Sequence, residues 1–322
     1  MSNVKPILAV LVPVYNEEAV IGLFYDRLRP VLDKLSNEYC CHVIFLNNAS
    51  SDGTIAAIER LMPGAAQVFY ITIARNVGYQ RSLEFGLKNT IGDLYVFIDV
   101  DCEDPPEMIL EFIDQNKKGF DIVYGERVDR EEVESIKFLR KVFYRVVRAL
   151  GDDDIILDMA EFSLMTREVR DAIAQDTSSF PFIRASIGRV GFRRVGLPYK
   201  RHKRIAGETH YNLRGMVTFA VAGILASTTI FLRFALYALP LWLAVMCGLF
   251  VVGLNPDALW ARLALVFAGF LYCGGVLSFI ALYLARVYKN TLGRPNAFLD
   301  RRHSKLPGAE QTQHAPSFRL HA

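Results

Sequence analysis

The chain has 322 residues, enough for one sizeable α/β domain and a smaller piece, and a net charge of +3 without a DNA- or RNA-binding signature argues against a nucleic-acid partner. Hydrophobic residues make up 52% of it and its mean hydropathy is +0.21, so part of the chain is suited to lipid. Cys40, Cys41, Cys102, Cys247 and Cys273 lack the spacing of a disulfide framework or a zinc site, and the first apolar run, broken at Pro13, is too short for a secretory signal.

In chain order, residues 7–14, 43–46, 68–73 and 94–98 are β-branched runs that predict buried strands. Helical patterns lie between them at residues 18–35, 54–62 and 81–89. This alternation predicts a largely parallel sheet covered on both faces, with ligands bound at the carboxyl ends of the strands. The polar stretches fall there: Pro13-Val14-Tyr15-Asn16-Glu17-Glu18, then Asn47-Asn48-Ala49-Ser50-Ser51-Asp52-Gly53, Arg75-Asn76-Val77-Gly78 and Asp99-Val100-Asp101. Each alone reads as a cap or a turn; four on one sheet edge read as a site.

A fifth strand-like run, residues 122–124, is followed by a basic helix over residues 136–150, suited either to an anionic membrane surface or to solvent. A second basic cluster comprises Lys200, Arg201, His202, Lys203, Arg204 and Arg214. Residues 234–254 and 263–285 carry no charge and are long enough to cross a hydrocarbon core of about 30 Å. A shorter run, residues 216–232, reads as interfacial or as a third span. Basic residues flank the two spans on both sides, whereas the linker 255–262 holds only Asp257 and Arg262, so the positive-inside rule places both flanks in the cytoplasm.

Asp99 and Asp101, two residues apart at a strand end, suit a hard divalent cation shared with a diphosphate, and Glu103 adds a third carboxylate. An acidic loop capping the helix near Pro105 is the alternative. With these residues in view, the chain resembles the family-2 glycosyltransferases, and among them the polyprenyl-phosphate glycosyltransferases such as dolichyl-phosphate mannose synthase and bacterial undecaprenyl-phosphate glucosyltransferases. The resemblance rests on the four stretches above, with the last extended through Cys102-Glu103-Asp104-Pro105-Pro106-Glu107. It also rests on Gly125-Glu126-Arg127-Val128-Asp129-Arg130 and on Arg204-Ile205-Ala206-Gly207-Glu208-Thr209-His210-Tyr211, followed by two spans.

The resemblance implies a GT-A, Rossmann-like nucleotide-sugar-binding domain over residues 1–213 and an interfacial segment over 214–233. Two transmembrane helices would occupy 234–286, and a basic cytoplasmic tail 287–322. It implies a UDP- or GDP-hexose donor, a polyprenyl phosphate acceptor, Mg²⁺ or Mn²⁺, contact with membrane lipids at the inner membrane with the catalytic domain facing the cytoplasm, and it allows a homo-oligomer.

By the same resemblance Pro13, Tyr15, Glu17, Asn48, Arg75, Asp99 and Arg204 bind the nucleotide-sugar. Asp99 and Asp101 are catalytic, Asp99, Asp101 and Glu103 hold the metal, and Arg127 and Arg130 bind the acceptor phosphate. Where the family usually has an aspartate this chain has Asn48, and where a glutamine is common it has Glu103; His210, Glu161 and Ser163 also depart from the pattern. The open alternatives are a transferase with another lipid or glycan acceptor, or a non-catalytic membrane protein that binds nucleotide-sugar. A processive synthase would show a Gln-x-x-Arg-Trp stretch and more spans, and has neither here.

Overall fold

The structure is a computed structural model that describes residues 5–64, 67–128, 156, 159–176, 178, 181–202 and 229–307. The basic helix expected over 136–150, Arg130, Arg204 and His210, and most of the run 216–232 lie outside the described residues.

The run Ile-Leu-Ala-Val-Leu-Val-Pro-Val forms β1 (Ile7–Val14), almost wholly buried. Leu8, Val10 and Val12 enter the core on one face of the sheet and Ala9 and Leu11 the core on the other. A strand covered on both faces needs such an unbroken apolar run. Beside it lie β2 (Cys40–Asn47) and, beyond that, β3 (Val68–Thr72), both parallel; β4 (Leu94–Phe97) pairs in parallel on its other side. The helices α1 (Ile21–Leu35), α2 (Thr54–Leu61) and α3 (Tyr79–Asn89) connect these strands.

After α4 (Met108–Lys117) come β5 (Ile122–Val128) and β6 (Met159–Thr166), then α5 (Arg167–Ala174), α6 (Ile183–Arg189) and β7 (Arg194–Lys200). The sheet order is β3-β2-β1-β4-β6-β5-β7. The sheet is parallel as expected through β4, but β6 runs antiparallel between β4 and β5. Strand β6 escapes sequence reading because Glu161 and Ser163 interrupt its apolar run, although both are buried.

Pairing of β1 with β4 stops at Leu11 and Phe97, while pairing of β1 with β2 continues to Val14 and Asn47. The sheet therefore parts between β1 and β4, where the direction of winding reverses and ligands of such sheets bind. Pro13 sits on that stretch. The Leu11 carbonyl accepts from Ile98 N on the β4 side, and by alternation the Pro13 nitrogen faces the same way, where there is no ladder left to supply.

Two long helices follow, α7 (Ile230–Gly253) and α8 (Leu259–Thr291). Each has a window of mean hydropathy 2.2 with none of it buried, so both are long and apolar enough to cross a membrane. They pack as a hairpin. Trp242 stacks on Tyr272 with ring centroids 4.5 Å apart, and Tyr272 Oη donates to the Ala235 carbonyl at 2.6 Å. In lipid, where apolar contact gives no preference for another helix, such directed contacts select the partner.

Candidate active site

Each of the strands β1 to β4 ends in a loop that contains a residue in the left-handed region: Asn16 (φ 55°) after β1, Ala49 (φ 59°) after β2, Gly78 (φ 85°) after β3 and Cys102 (φ 58°) after β4. Glycine takes this conformation freely and asparagine with little strain, but alanine and cysteine do so at a cost of about 1 kcal/mol or more. Strain gathered at one sheet edge marks a place where backbone shape matters more than stability.

The first two loops are laced together. Asn16 N donates to Ser50 Oγ (3.0 Å), Glu17 N to Thr54 Oγ1 (2.9 Å), Ser51 N to Asn16 Oδ1 (2.8 Å) and Gly53 N to Glu18 Oε2 (3.1 Å). A side chain at Gly53 would collide with the Glu18 carboxylate. The result is a depression lined by Asn16, Glu17, Glu18 and Asp52, with Tyr15 exposed beside it. Asn48 is buried and its amide is spent inside the protein: Oδ1 accepts from Val77 N (2.9 Å) and Nδ2 donates to Asn76 Oδ1 (3.0 Å). It joins the second loop to Arg75-Asn76-Val77-Gly78 and leaves Arg75 exposed.

The fourth loop carries the charge. Asp99, Asp101, Glu103 and Asp104 converge with Arg127 from β5 and with Tyr199 and Arg201 from the end of β7. Arg201 spans three carboxylates: its Nη1 is 2.6 Å from Glu103 Oε2, its Nε 3.3 Å from Asp104 Oδ1 and its Nη2 3.7 Å from Asp101 Oδ2. Tyr199 Oη donates to Asp104 Oδ1 (2.5 Å) and accepts from Arg127 Nε (3.2 Å), while Arg127 Nη2 lies 3.7 Å from Asp104 Oδ2. Asp104 is only 1% exposed, and its Oδ2 has no hydrogen-bond partner among the described residues. Burial works against the Arg127 guanidinium, but Tyr199 and Asp104 outweigh it and keep it firmly charged.

Asp99 is half-buried, with Tyr79 Oη donating to its Oδ1 at 2.6 Å. Burial, then the charges of Asp104 and Asp101, push its pKa up to about 7. Continuing the β4–β6 register past Phe97 and Ser163 brings Glu161 opposite Asp99. Glu161 is 5% exposed, takes Gln80 Nε2 on Oε1 (2.8 Å) and lies 2.9 Å from Arg184 Nε, while its Oε2 has no hydrogen-bond partner among the described residues. Gln80 also accepts from Ile183 N (3.0 Å), so it ties α3 to α6.

Of the residues expected at the site, Asp99, Asp101, Glu103 and Arg127 share one cluster, and Tyr15, Glu17, Asn48 and Arg75 sit on the neighbouring loops. Tyr79, Gln80, Asp104, Arg184, Tyr199 and Arg201 also take part, although sequence reading gave them no role at the site. Glu161 was noted only as a departure from the pattern. Position after Gly78 was a usable signal for Tyr79; nothing local in the sequence marks Arg184.

The carboxylates outnumber the two guanidinium groups beside them, which adds to burial in making Asp99 resist ionisation, and every donor is oxygen. That donor set fits Mg²⁺ or Mn²⁺. Among the described residues no three acidic, histidine or cysteine side chains form a ready coordination shell, and Arg201 stands between Asp101, Glu103 and Asp104. A cation would have to displace it.

Comparison with known proteins gives a match over residues 9–179 to the family model described as glycosyl transferase family 2. The uncharacterized glycosyltransferase YkcC of Bacillus subtilis is 32% identical, over 89% of this chain and 91% of its own. The prophage bactoprenol glucosyl transferase homolog of Escherichia coli is 29% identical, over 91% of this chain and 98% of its own. Among solved structures, the mannosyltransferase PcManGT from Pyrobaculum calidifontis, in complex with GDP-Man and Mn²⁺, aligns with 90% of this chain and 88% of its own at 18% identity and a TM-score of 0.44.

Proposed function

This chain belongs to glycosyltransferase family 2, and from that premise we propose that it moves a hexose from a nucleotide-sugar to the phosphate of a polyprenyl lipid. Its sheet and helices form the family's GT-A α/β fold, followed by two long apolar helices that form a contacting pair. It is a glycosyltransferase. The carboxylate and guanidinium cluster where the sheet parts is the observation that carries the finer reading, because it is suited to a diphosphate and stands in a chain with a hairpin able to keep it at a lipid surface. The relatives that transfer glucose to bactoprenol support the acceptor.

In this reading Tyr15 and Glu17 border the nucleoside, with Pro13 beneath them, Asn48 shapes the loop that bears Arg75, and Asp99 lies beneath the sugar diphosphate. Arg127 meets the acceptor phosphate, and the resemblance adds Arg130 and Arg204. Asp99, Asp101 and Glu103 would hold Mg²⁺ or Mn²⁺, which supplies Lewis-acid stabilisation of the departing diphosphate. An oxygen of the lipid phosphate bonds to the anomeric carbon as the bond from that carbon to the donor diphosphate breaks, with inversion. A phosphate monoester is already anionic at neutral pH, so the chain need only position it and stabilise charge. Incubating membranes with radiolabelled UDP- or GDP-hexoses and extracting the lipid tests the reading: label in polyprenyl monophosphate-sugar supports it, and label only in water-soluble or polymeric product overturns it.

Arg201 gives a test of the cation that does not depend on turnover. Arg201→Ala leaves Asp101, Glu103 and Asp104 facing one another, so the cation-free protein should melt several degrees lower, as about 1–3 kcal/mol of lost pairing implies. Mn²⁺ should then restore the variant more than it raises the wild type. Equal shifts in both proteins would place the cation elsewhere.

The charge pattern around the hairpin supports a cytoplasmic catalytic domain on the inner membrane, with only the short turn before α8 on the far side. A cysteine introduced at Asp257 should react with an impermeant thiol reagent in intact cells, and one at Arg302 should not; the reverse pattern would invert the topology.

A further inference from the structure

The segment that leaves α8 returns to the sheet. Gly293 (φ 58°) turns the chain, and Asn296 Nδ2 then donates to Glu84 Oε2 on α3 and to the Ser178 carbonyl, both at 3.0 Å. Glu84 is buried, and Lys88 Nζ holds its other oxygen at 2.7 Å. Next the segment runs antiparallel along β3, the outer strand. Ala74 N donates to the Phe298 carbonyl (3.0 Å), Asp300 N to the Thr72 carbonyl (2.9 Å), Thr72 N to Ser304 Oγ (2.8 Å), and Tyr70 and Lys305 exchange backbone bonds at 3.0 and 2.8 Å. Leu299 and Leu306 pack against the core beneath α3. An edge strand otherwise left open is thereby covered.

What the segment grips matters more than the edge it covers. Ala74 is the residue before Arg75-Asn76-Val77-Gly78, and Glu84 lies on the helix that begins after that loop. The first turn of the same helix supplies Tyr79 to Asp99 and Gln80 to Glu161. Both hinges of the loop, and the helix that orients Asp99, are thus held by residues that follow the apolar hairpin.

We propose that the segment 296–306 is a positioning strap for the nucleotide-sugar site, with Asn296 and Ser304 as its positioning residues, so that donor binding depends on chain lying beyond the hairpin. This rests on the donor reading of the site given above. The test uses full-length protein in lipid nanodiscs, the variants Asn296→Ala and Ser304→Ala, and Arg302→Ala, whose side chain on the strap is exposed, as control.

Amide exchange at residues 72–74 and 79–89 should quicken by roughly tenfold in the first two variants, as expected for a lost hydrogen bond to a charged or backbone partner. Their KM for the donor should rise with little change in KM for the lipid; the control should match wild type in both. Exchange that quickens only within 296–307, or a fall in kcat with donor KM unchanged, would overturn the proposal. If the wild type transfers no hexose at all, the functional reading fails, yet the exchange at 72–74 and 79–89 still decides whether the strap holds those elements.

Discussion

Asp99→Asn is expected to cut turnover by at least about 100-fold, the equivalent of some 2.7 kcal/mol of transition-state stabilisation, while making the cation-free protein more stable above neutral pH. The two effects have one cause. Burial and the neighbouring Asp104 and Asp101 raise the Asp99 pKa from 3.8 to about 7, so the folded protein holds a proton there that the unfolded chain releases. Stability from that proton is full below about pH 4 and is lost as the pH rises through 7. An asparagine still accepts the Tyr79 hydroxyl but never ionises, so the variant should gain over wild type at pH 8 and lose most of that gain at pH 5. Melting curves at the two pH values, beside initial rates, check this. Parallel losses of stability and rate would make Asp99 a structural residue.

The second large effect is expected at Arg127. Its side chain is 18% exposed, bonds to Tyr199 Oη and faces Asp104, so Arg127→Ala removes a counter-charge from a buried carboxylate as well as the ligand proposed for the acceptor. The melting temperature should fall, in line with a loss of about 1.5–3 kcal/mol. The apparent KM for polyprenyl phosphate should rise or turnover drop, and nucleotide-sugar affinity should change little. Arg127→Lys should restore stability better than it restores lipid binding, because an ammonium supplies charge without the two-pronged fork that matches a phosphate. Calorimetry showing lost donor binding with unchanged lipid dependence would move Arg127 to the diphosphate side.

What could be read from the sequence was local. Strand β1 and the residues of the four loops were legible because an unbroken apolar run followed by Pro, Asn, Asp or Gly is a local signal. Two strands were not. Strand β6 alternates buried polar residues, Glu161 and Ser163, with apolar ones, and β7 contains Gly196 and Pro198 and lies at the sheet edge.

The partners across the site were also hidden. Arg201 read as one member of a basic cluster, yet it serves carboxylates about a hundred residues earlier in the chain, a pairing that only the β5–β7 register brings about. Asn48 read as a nucleotide-sugar contact, and nothing in the sequence showed that its side chain spans two loops. Residues 296–306 carry no strand periodicity and read as part of a basic tail, although their backbone completes an edge.

Whether the acceptor is a lipid phosphate is tested most directly by release of nucleoside diphosphate from the purified full-length protein with Mn²⁺. Each nucleotide-sugar would be offered in turn with undecaprenyl phosphate, with the same lipid lacking its phosphate, or with no lipid. Diphosphate release that requires the phosphorylated lipid and yields a sugar-linked lipid monophosphate is the predicted result. Release that is equal with the unphosphorylated lipid, or that proceeds only with a glycan acceptor, would contradict it.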